Sequence, residues 1–231
     1  MTVRIETIRA DKPAAGVLEQ AARQLKKGGV IACATDTGYA FAANALDQRA
    51  IARVFHLKGR SFRNPIHIAV GSIDEADKYA VVNEEARYLA ERYLPGGLTL
   101  VLARRENVPA MLTAGMATLG IRIPDSRTVL ELVARTGFPL TMTSANVSGR
   151  PGTYAVPELQ TQLGEAMDDL ALVLDEGPIK RHEVSTIVDL TVRPAQLIRQ
   201  GLIGWLELRE DLKRFPPEPE PETDGEKNEE T

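Results

Sequence analysis

The chain has 231 residues, 43% of them hydrophobic, and a formal charge of −4 at pH 7. This suits one sizeable core and excludes a strongly basic nucleic-acid-binding class. The charge is uneven: residues 216–231 carry seven acids and one lysine, which leaves the other 215 residues near +2. Any basic site must therefore be local. A single cysteine excludes an internal disulfide, and three scattered histidines give no zinc pattern. The N-terminal residues lack the apolar core of a signal peptide, and no apolar run nears the roughly 20 residues of a membrane span. A cytoplasmic protein is expected.

Residues 3–8 alternate apolar and polar and read as a first strand. Pro13 opens a helix to Lys27, with Val17, Leu18, Ala21, Ala22 and Leu25 on its buried face. Gly28-Gly29 launches a short apolar strand, 30–34. It empties into Thr35-Asp36-Thr37-Gly38-Tyr39, read as a polar loop. A helix over 47–57 has Asp47 as its N-cap. It runs into Lys58-Gly59-Arg60-Ser61-Phe62-Arg63-Asn64-Pro65, and a strand, 66–70, follows. A helix start over 72–78 and a firmer helix over 83–93 come next, broken by Pro95-Gly96-Gly97. Strands are read at 98–103 and 119–123, a helix capped by Ser126 over 126–136, and a strand at 140–143. A short helix at 157–163 and strands near Leu172, Ile187 and Leu197 complete a body of residues 1–212. The Pro- and Glu-rich residues 213–231 read as a disordered acidic tail. Interleaved helices and strands without a repeat imply an α/β fold with a mixed or parallel sheet.

In such units ligands bind in loops beyond strand ends. One loop here offers the hydroxyls and carboxylate of Thr35, Asp36 and Thr37; another offers Lys58, Arg60 and Arg63. A phosphate-bearing ligand fits the cations, and so does a solvated helix end. Tyr39 suits packing more than stacking on a base. Thr143-Ser144-Ala145-Asn146-Val147-Ser148-Gly149 leaves a strand with several small polar side chains. Arg122 sits between Ile121 and Ile123 and needs a partner in so apolar a strand. Ser185-Thr186 and Arg199 raise the same question. His56, His67 and His182 fall in no nucleophile or metal pattern, and Cys33 reads as a core residue. There is no P-loop motif, GxGxxG or GxSxG.

Taken together, TDTGYAFAA at Thr35, KGRSFRNP at Lys58, PGGLTLVL at Pro95, LGIRIP at Leu119, TSANVSG at Thr143, STIVDL at Ser185 and LIRQG at Leu197 resemble the YrdC-type threonylcarbamoyl-AMP synthases, in their short, single-domain form. The resemblance implies an open, twisted mixed sheet flanked by helices, with a concave basic cleft. It implies a nucleotidyltransferase that joins L-threonine, bicarbonate and ATP, with Mg²⁺ accompanying the ATP. Pyrophosphate is released, and the product serves threonylcarbamoylation of adenosine 37 in transfer RNA. Transfer RNA or tRNA-modification proteins are the implied onward partners. Thr35, Arg122, Ser144 and Ser185 would surround threonine. Lys58, Arg60, Asn64, Thr118, Asn146 and Arg199 would hold the nucleotide, with Lys58 and Arg60 serving the chemistry from a solvent-reached loop.

The chain departs from the family pattern at Gly38 and Ala40, where the family reads TDTVYGL. It departs again at Ala69, where many members carry a histidine, while His67 sits two positions earlier. The GYA form resembles a YciO-type branch, so a protein acting on a threonylcarbamoyl product is one alternative. An RNA-binding module using the basic cleft is another.

Overall fold

The computed structural model describes residues 2–180 and 182–216. In chain order the elements are β1 (Ile5–Thr7), α1 (Ala15–Lys26), β2 (Ile31–Thr35), β3 (Gly38–Ala42), α2 (Gln48–Lys58), β4 (His67–Ala69), α3 (Ile73–Ala76) and β5 (Ala80–Val81). They continue with α4 (Glu84–Tyr93), β6 (Leu98–Arg104), β7 (Thr118–Arg122), α5 (Arg127–Thr136), β8 (Leu140–Ser144) and α6 (Val156–Leu163). A 3₁₀ turn (Gly164–Asp169), β9 (Leu172–Asp175), β10 (Thr186–Asp189), β11 (Gln196–Arg199) and α7 (Trp205–Leu212) complete the described chain.

Side-chain caps set several helix starts. The Asp47 carboxylate accepts from the amides of Arg49 and Ala50, Asn83 accepts from Ala86, and Ser126 accepts from Val129. Gly59 ends α2 in the left-handed region, at φ 54°, which frees the next residues to turn away as a loop. No described helix is long and apolar enough to cross a membrane.

The sheet runs β1-β9-β2-β3-β8-β4-β7-β6-β10-β11, with β5 added to β6. It is mixed. β4 pairs β7 in parallel, for example, while β8 pairs both β3 and β4 antiparallel. The expected α/β architecture with a large mixed sheet is therefore what forms.

Strand side chains alternate between faces. One face carries Phe41, Ile68, Leu100, Ile121 and Val188 into a core with Ile51, Phe55, Leu89, Leu159 and Leu208 from α2, α4, α6 and α7. The other carries Ile31, Cys33, Ala40, Ala69, Leu140 and Met142 into a smaller core with Leu18 and Leu25 of α1 and Val129, Leu132 and Val133 of α5. Cys33 is fully buried there. No described helix contributes to this second face beyond that pair, so α1 and α5 cover only part of it.

Several elements differ from the sequence reading, β3 and α7 among them. Residues 38–42 form β3 and not an extension of the polar loop. Thr35 pairs with Gly38, so only Asp36 and Thr37 turn the hairpin. Gly38 sits at φ 138°, a conformation side chains rarely adopt, and its glycine had suggested a loop. The helix α7 was not expected either. Gly204 precedes it and supplies no side-chain cap, and Leu208 and Leu212 are what it buries. Phe215 packs on Tyr88, with ring centroids 5.8 Å apart. Residues 217–231, most of the expected tail, lie outside the described residues.

Candidate functional site

Where the α1 and α5 layer stops, the same sheet face opens into a cavity of about 290 Å³. Its lining draws on six strands: Thr35 on β2, Ala40 on β3, His67 on β4, Arg122 on β7, Met142 and Ser144 on β8, and Ile187 on β10. Arg60, Ser185 and Arg199 close it from the rim. A second cavity of about 360 Å³ adjoins it, lined by Thr99, Val101, Thr113, Thr118 and Ile198 among others. The two share Pro65, His67 and Ile187.

The cavity wall is hydrogen-bonded to itself before any ligand arrives. Buried Arg122 points one guanidinium nitrogen at both carboxylate oxygens of Asp36, each at 2.7 Å. Its second nitrogen donates to Thr37 Oγ1 at 2.7 Å, and its Nε to the Gly96 carbonyl at 3.2 Å. This pairing is why an arginine is tolerated between two isoleucines. Burial lowers the Arg122 pKa, and Asp36 opposes that shift. Thr35 Oγ1 donates to the Gly38 carbonyl at 2.8 Å and fixes the hairpin turn. Arg199 donates to the Ser185 carbonyl at 2.8 Å and to its Oγ at 3.0 Å, while Thr99 Oγ1 lies 2.9 Å from the same Oγ. Arg60 reaches back to the carbonyls of Asn64 at 3.1 Å and Pro65 at 2.9 Å. Burial lowers the pKa of Arg60, and burial plus the neighbouring Arg122 lowers that of Arg199.

Lys58 is not where the sequence suggested. It was expected on a solvent-reached loop, yet it ends α2 and is only 1% exposed. Its ammonium donates to the carbonyl of Ser144, the carbonyl of Asn146 at 3.0 Å and Asn146 Oδ1 at 2.9 Å. Burial and the nearby Arg60 pull its pKa down to about 7. Asn146 is equally committed: its amide nitrogen donates to the carbonyls of Val147 and Arg150, and Ser144 Oγ donates to its Oδ1 at 2.5 Å. Lys58 and Asn146 therefore form a layer behind Ser144 that holds the turn after β8.

Of the sequence-selected residues, Thr35, Arg60, Arg122, Ser144, Ser185 and Arg199 meet on the first cavity and Thr118 on the second. Asn64 is exposed beside Arg60, and Arg63 is exposed and absent from the lining. Tyr39 packs: it is 1% exposed and its hydroxyl donates to Asp175 and the Gly177 carbonyl, at 3.0 Å each. The sequence offered Asp36 and Thr37 as part of a ligand-facing loop but did not assign His67, Met142, Val184 or Ile187; Thr37 lines the cavity, and Asp36 is held by Arg122. For that pairing a signal existed, since Arg122 demanded a carboxylate and TDT offered one. The His67 ring is held neutral by burial and by Arg122, Arg199, Arg60 and Lys58, its pKa lowered to about 3.

The model of the Sua5, YciO and YrdC family, described as telomere recombination, matches residues 23–201. The chain belongs to this family. Among its relatives, a putative threonylcarbamoyl-AMP synthase of Methanocaldococcus jannaschii is 35% identical over 187 residues, covering 81% of this chain and 86% of that one. The threonylcarbamoyl-AMP synthase of Pyrococcus abyssi is 35% identical over 182 residues, but the chain spans only 53% of its length. The solved structure of P. abyssi Sua5 complexed with L-threonine superposes with a TM-score of 0.85 at 32% identity, covering 90% of this chain and 60% of that one. Escherichia coli YciO superposes with a TM-score of 0.79 at 25% identity, covering 87% and 97%. The fold is thus that of the Sua5, YciO and YrdC family.

Proposed function

We propose that this chain is a threonylcarbamoyl-AMP synthase, a nucleotidyltransferase that joins L-threonine, bicarbonate and ATP. The observation that carries the reading is the cavity itself: three arginines and the hydroxyls of Thr35, Thr37, Ser144 and Ser185 line it, and no acidic residue does. A site of that composition suits an amino-acid carboxylate and phosphoryl oxygens together. The names of the M. jannaschii and P. abyssi relatives support it.

On this reading threonine lies among Thr35, Arg122, Ser144 and Ser185. The nucleotide lies towards Thr118, with its phosphates near Arg60 and Arg199. Asn64 stands on the rim, while Lys58 and Asn146 act from behind by fixing Ser144. Threonine nitrogen and bicarbonate combine, with loss of water, to a carbamate. A carbamate oxygen then forms a bond to the α-phosphorus as the bond to pyrophosphate breaks. Negative charge builds on phosphoryl oxygens, and fixed cations are the stabiliser that requires no covalent nucleophile. Among the described residues no group of three His, Cys, Asp or Glu side chains is placed to hold a metal ion. Mg²⁺ would enter with the triphosphate, and no step here is routed through it. The product would pass to the machinery that modifies transfer RNA.

The test is pyrophosphate release from ATP, measured with and without L-threonine and with and without bicarbonate. Release that needs both supports the synthase. Release indifferent to either, or hydrolysis of a supplied threonylcarbamoyl compound instead, overturns it.

A further inference from the structure

His67 stands where the two cavities meet and lines both. Its backbone is locked in β4 opposite Met142 of β8. Room for its side chain comes from Gly120 on β7, where a Cβ would stand 2.8 Å from that of His67. The site's arginines are already tied to carbonyls, hydroxyls or Asp36. The imidazole is different, having no hydrogen-bond partner among the described residues. A neutral imidazole with both nitrogens open offers one donor and one acceptor. Arg60, Arg122 and Arg199 line the same cavity, so the imidazole can add hydrogen bonds to the site without adding charge.

We infer that His67 is a positioning residue at the passage between the cavities, its imidazole giving one hydrogen bond and accepting one from the polar linkage of a ligand that occupies both. Resting on the synthase reading, that linkage is the carbamoyl–phosphate junction. The carbamate N–H donates to one ring nitrogen, and the other ring nitrogen donates to a phosphoryl oxygen. The ring neither takes nor releases a proton in the step. Its contribution is to hold the carbamate oxygen towards phosphorus. A side chain at Gly120 would disturb the same arrangement by displacing the ring.

The test has two arms. In the first, the intact protein is labelled with ¹⁵N in its histidine rings, of which there are only three. The His67 signals should keep the neutral pattern from roughly pH 5 to 8. They should also move when L-threonine and a non-hydrolysable ATP analogue are both added. Unmoved signals under saturating ligands overturn the inference. In the second arm, His67→Leu should lower kcat about tenfold, the effect of one or two lost hydrogen bonds, with the KM for threonine changed less than about threefold. His67→Gln, which keeps a donor and an acceptor, should recover most of the rate. Equal losses in both variants, at unchanged Tm, would mean that the ring acts by shape, and overturn the inference. A wild-type protein that makes no threonylcarbamoyl-AMP defeats the functional reading instead. The ring signals then still report whether His67 meets ligands that span both cavities.

Discussion

The second face of the sheet is two surfaces built on one set of strands. Under α1 and α5 it presents Ile31, Cys33, Ala69 and Leu140, packed against Leu18, Leu132 and Val133. A few residues further along β2, β4 and β8 it presents Thr35, His67 and Ser144, with Arg122 of β7, to a cavity. Strand alternation is the same in both halves, and only the helical layer differs. A binding cavity arises here by ending a layer early and making the exposed strand ends polar. Polar groups in such a place must satisfy one another, and the Arg122–Asp36 and Arg199–Ser185 contacts do so. The covered half holds the fold; the open half spends part of that stability on a pre-arranged wall.

The strongest way to break this contrast is Arg122→Ala. It strips Asp36 of its buried partner and removes a cation from the cavity, so both stability and function should suffer. A loss of about 3 kcal/mol in unfolding free energy and at least a hundredfold in threonylcarbamoyl-AMP formation is expected. Urea unfolding and a rate assay on the same preparation measure the two, and full activity in this variant would remove Arg122 from the site.

Leu132→Ala strikes the covered half alone. It should cost about 2–5 kcal/mol of stability while leaving the rate per folded molecule unchanged. A matching fall in rate well below the unfolding transition would show that the halves are coupled.

Lys58 sharpens the comparison through pH. Its pKa is about 7 in the fold against roughly 10.5 in an unfolded chain. Between those values the unfolded chain holds the proton and the folded one does not, so stability rises with pH across that window. The cost of the buried cation is fully present below pH 7. Wild type should gain about 2–4 kcal/mol over Lys58→Met between pH 7 and 10, read from paired urea midpoints. Parallel curves for the two proteins would show that the ammonium stays charged, held by its carbonyl partners.

The smallest effect is expected from deleting residues 217–231. Their composition offers nothing apolar to offset the entropy of ordering, so Tm and rate should both stay nearly constant. A fall in either would mean that this segment contributes to one of the two halves.

Much of this was readable from residue order. The caps Asp47 and Ser126 set their helices because cap chemistry is local. The six lining residues Thr35, Arg60, Arg122, Ser144, Ser185 and Arg199 came from the motifs that carry the family resemblance. What escaped was non-local. The strand β3 escaped because Ala40 pairs with Ser144 on β8, about a hundred residues away. Lys58 looked solvent-exposed because nothing in KGRSFRNP announces that the carbonyls after β8 fold over it. His67 looked structural because it falls in no nucleophile or metal pattern, whereas its environment is assembled from β7, β8 and β10.

The position of Cys33 gives the protein a built-in gauge of its own opening. The only thiol of the chain lies fully buried on β2, under α1 and α5, and burial pushes its pKa up, so an alkylating reagent finds neither access nor thiolate in the closed form. Labelling can proceed only when the helical layer lifts from the sheet. Its rate at graded denaturant would therefore report the free energy of that opening, residue by residue at a single place, without any engineered probe.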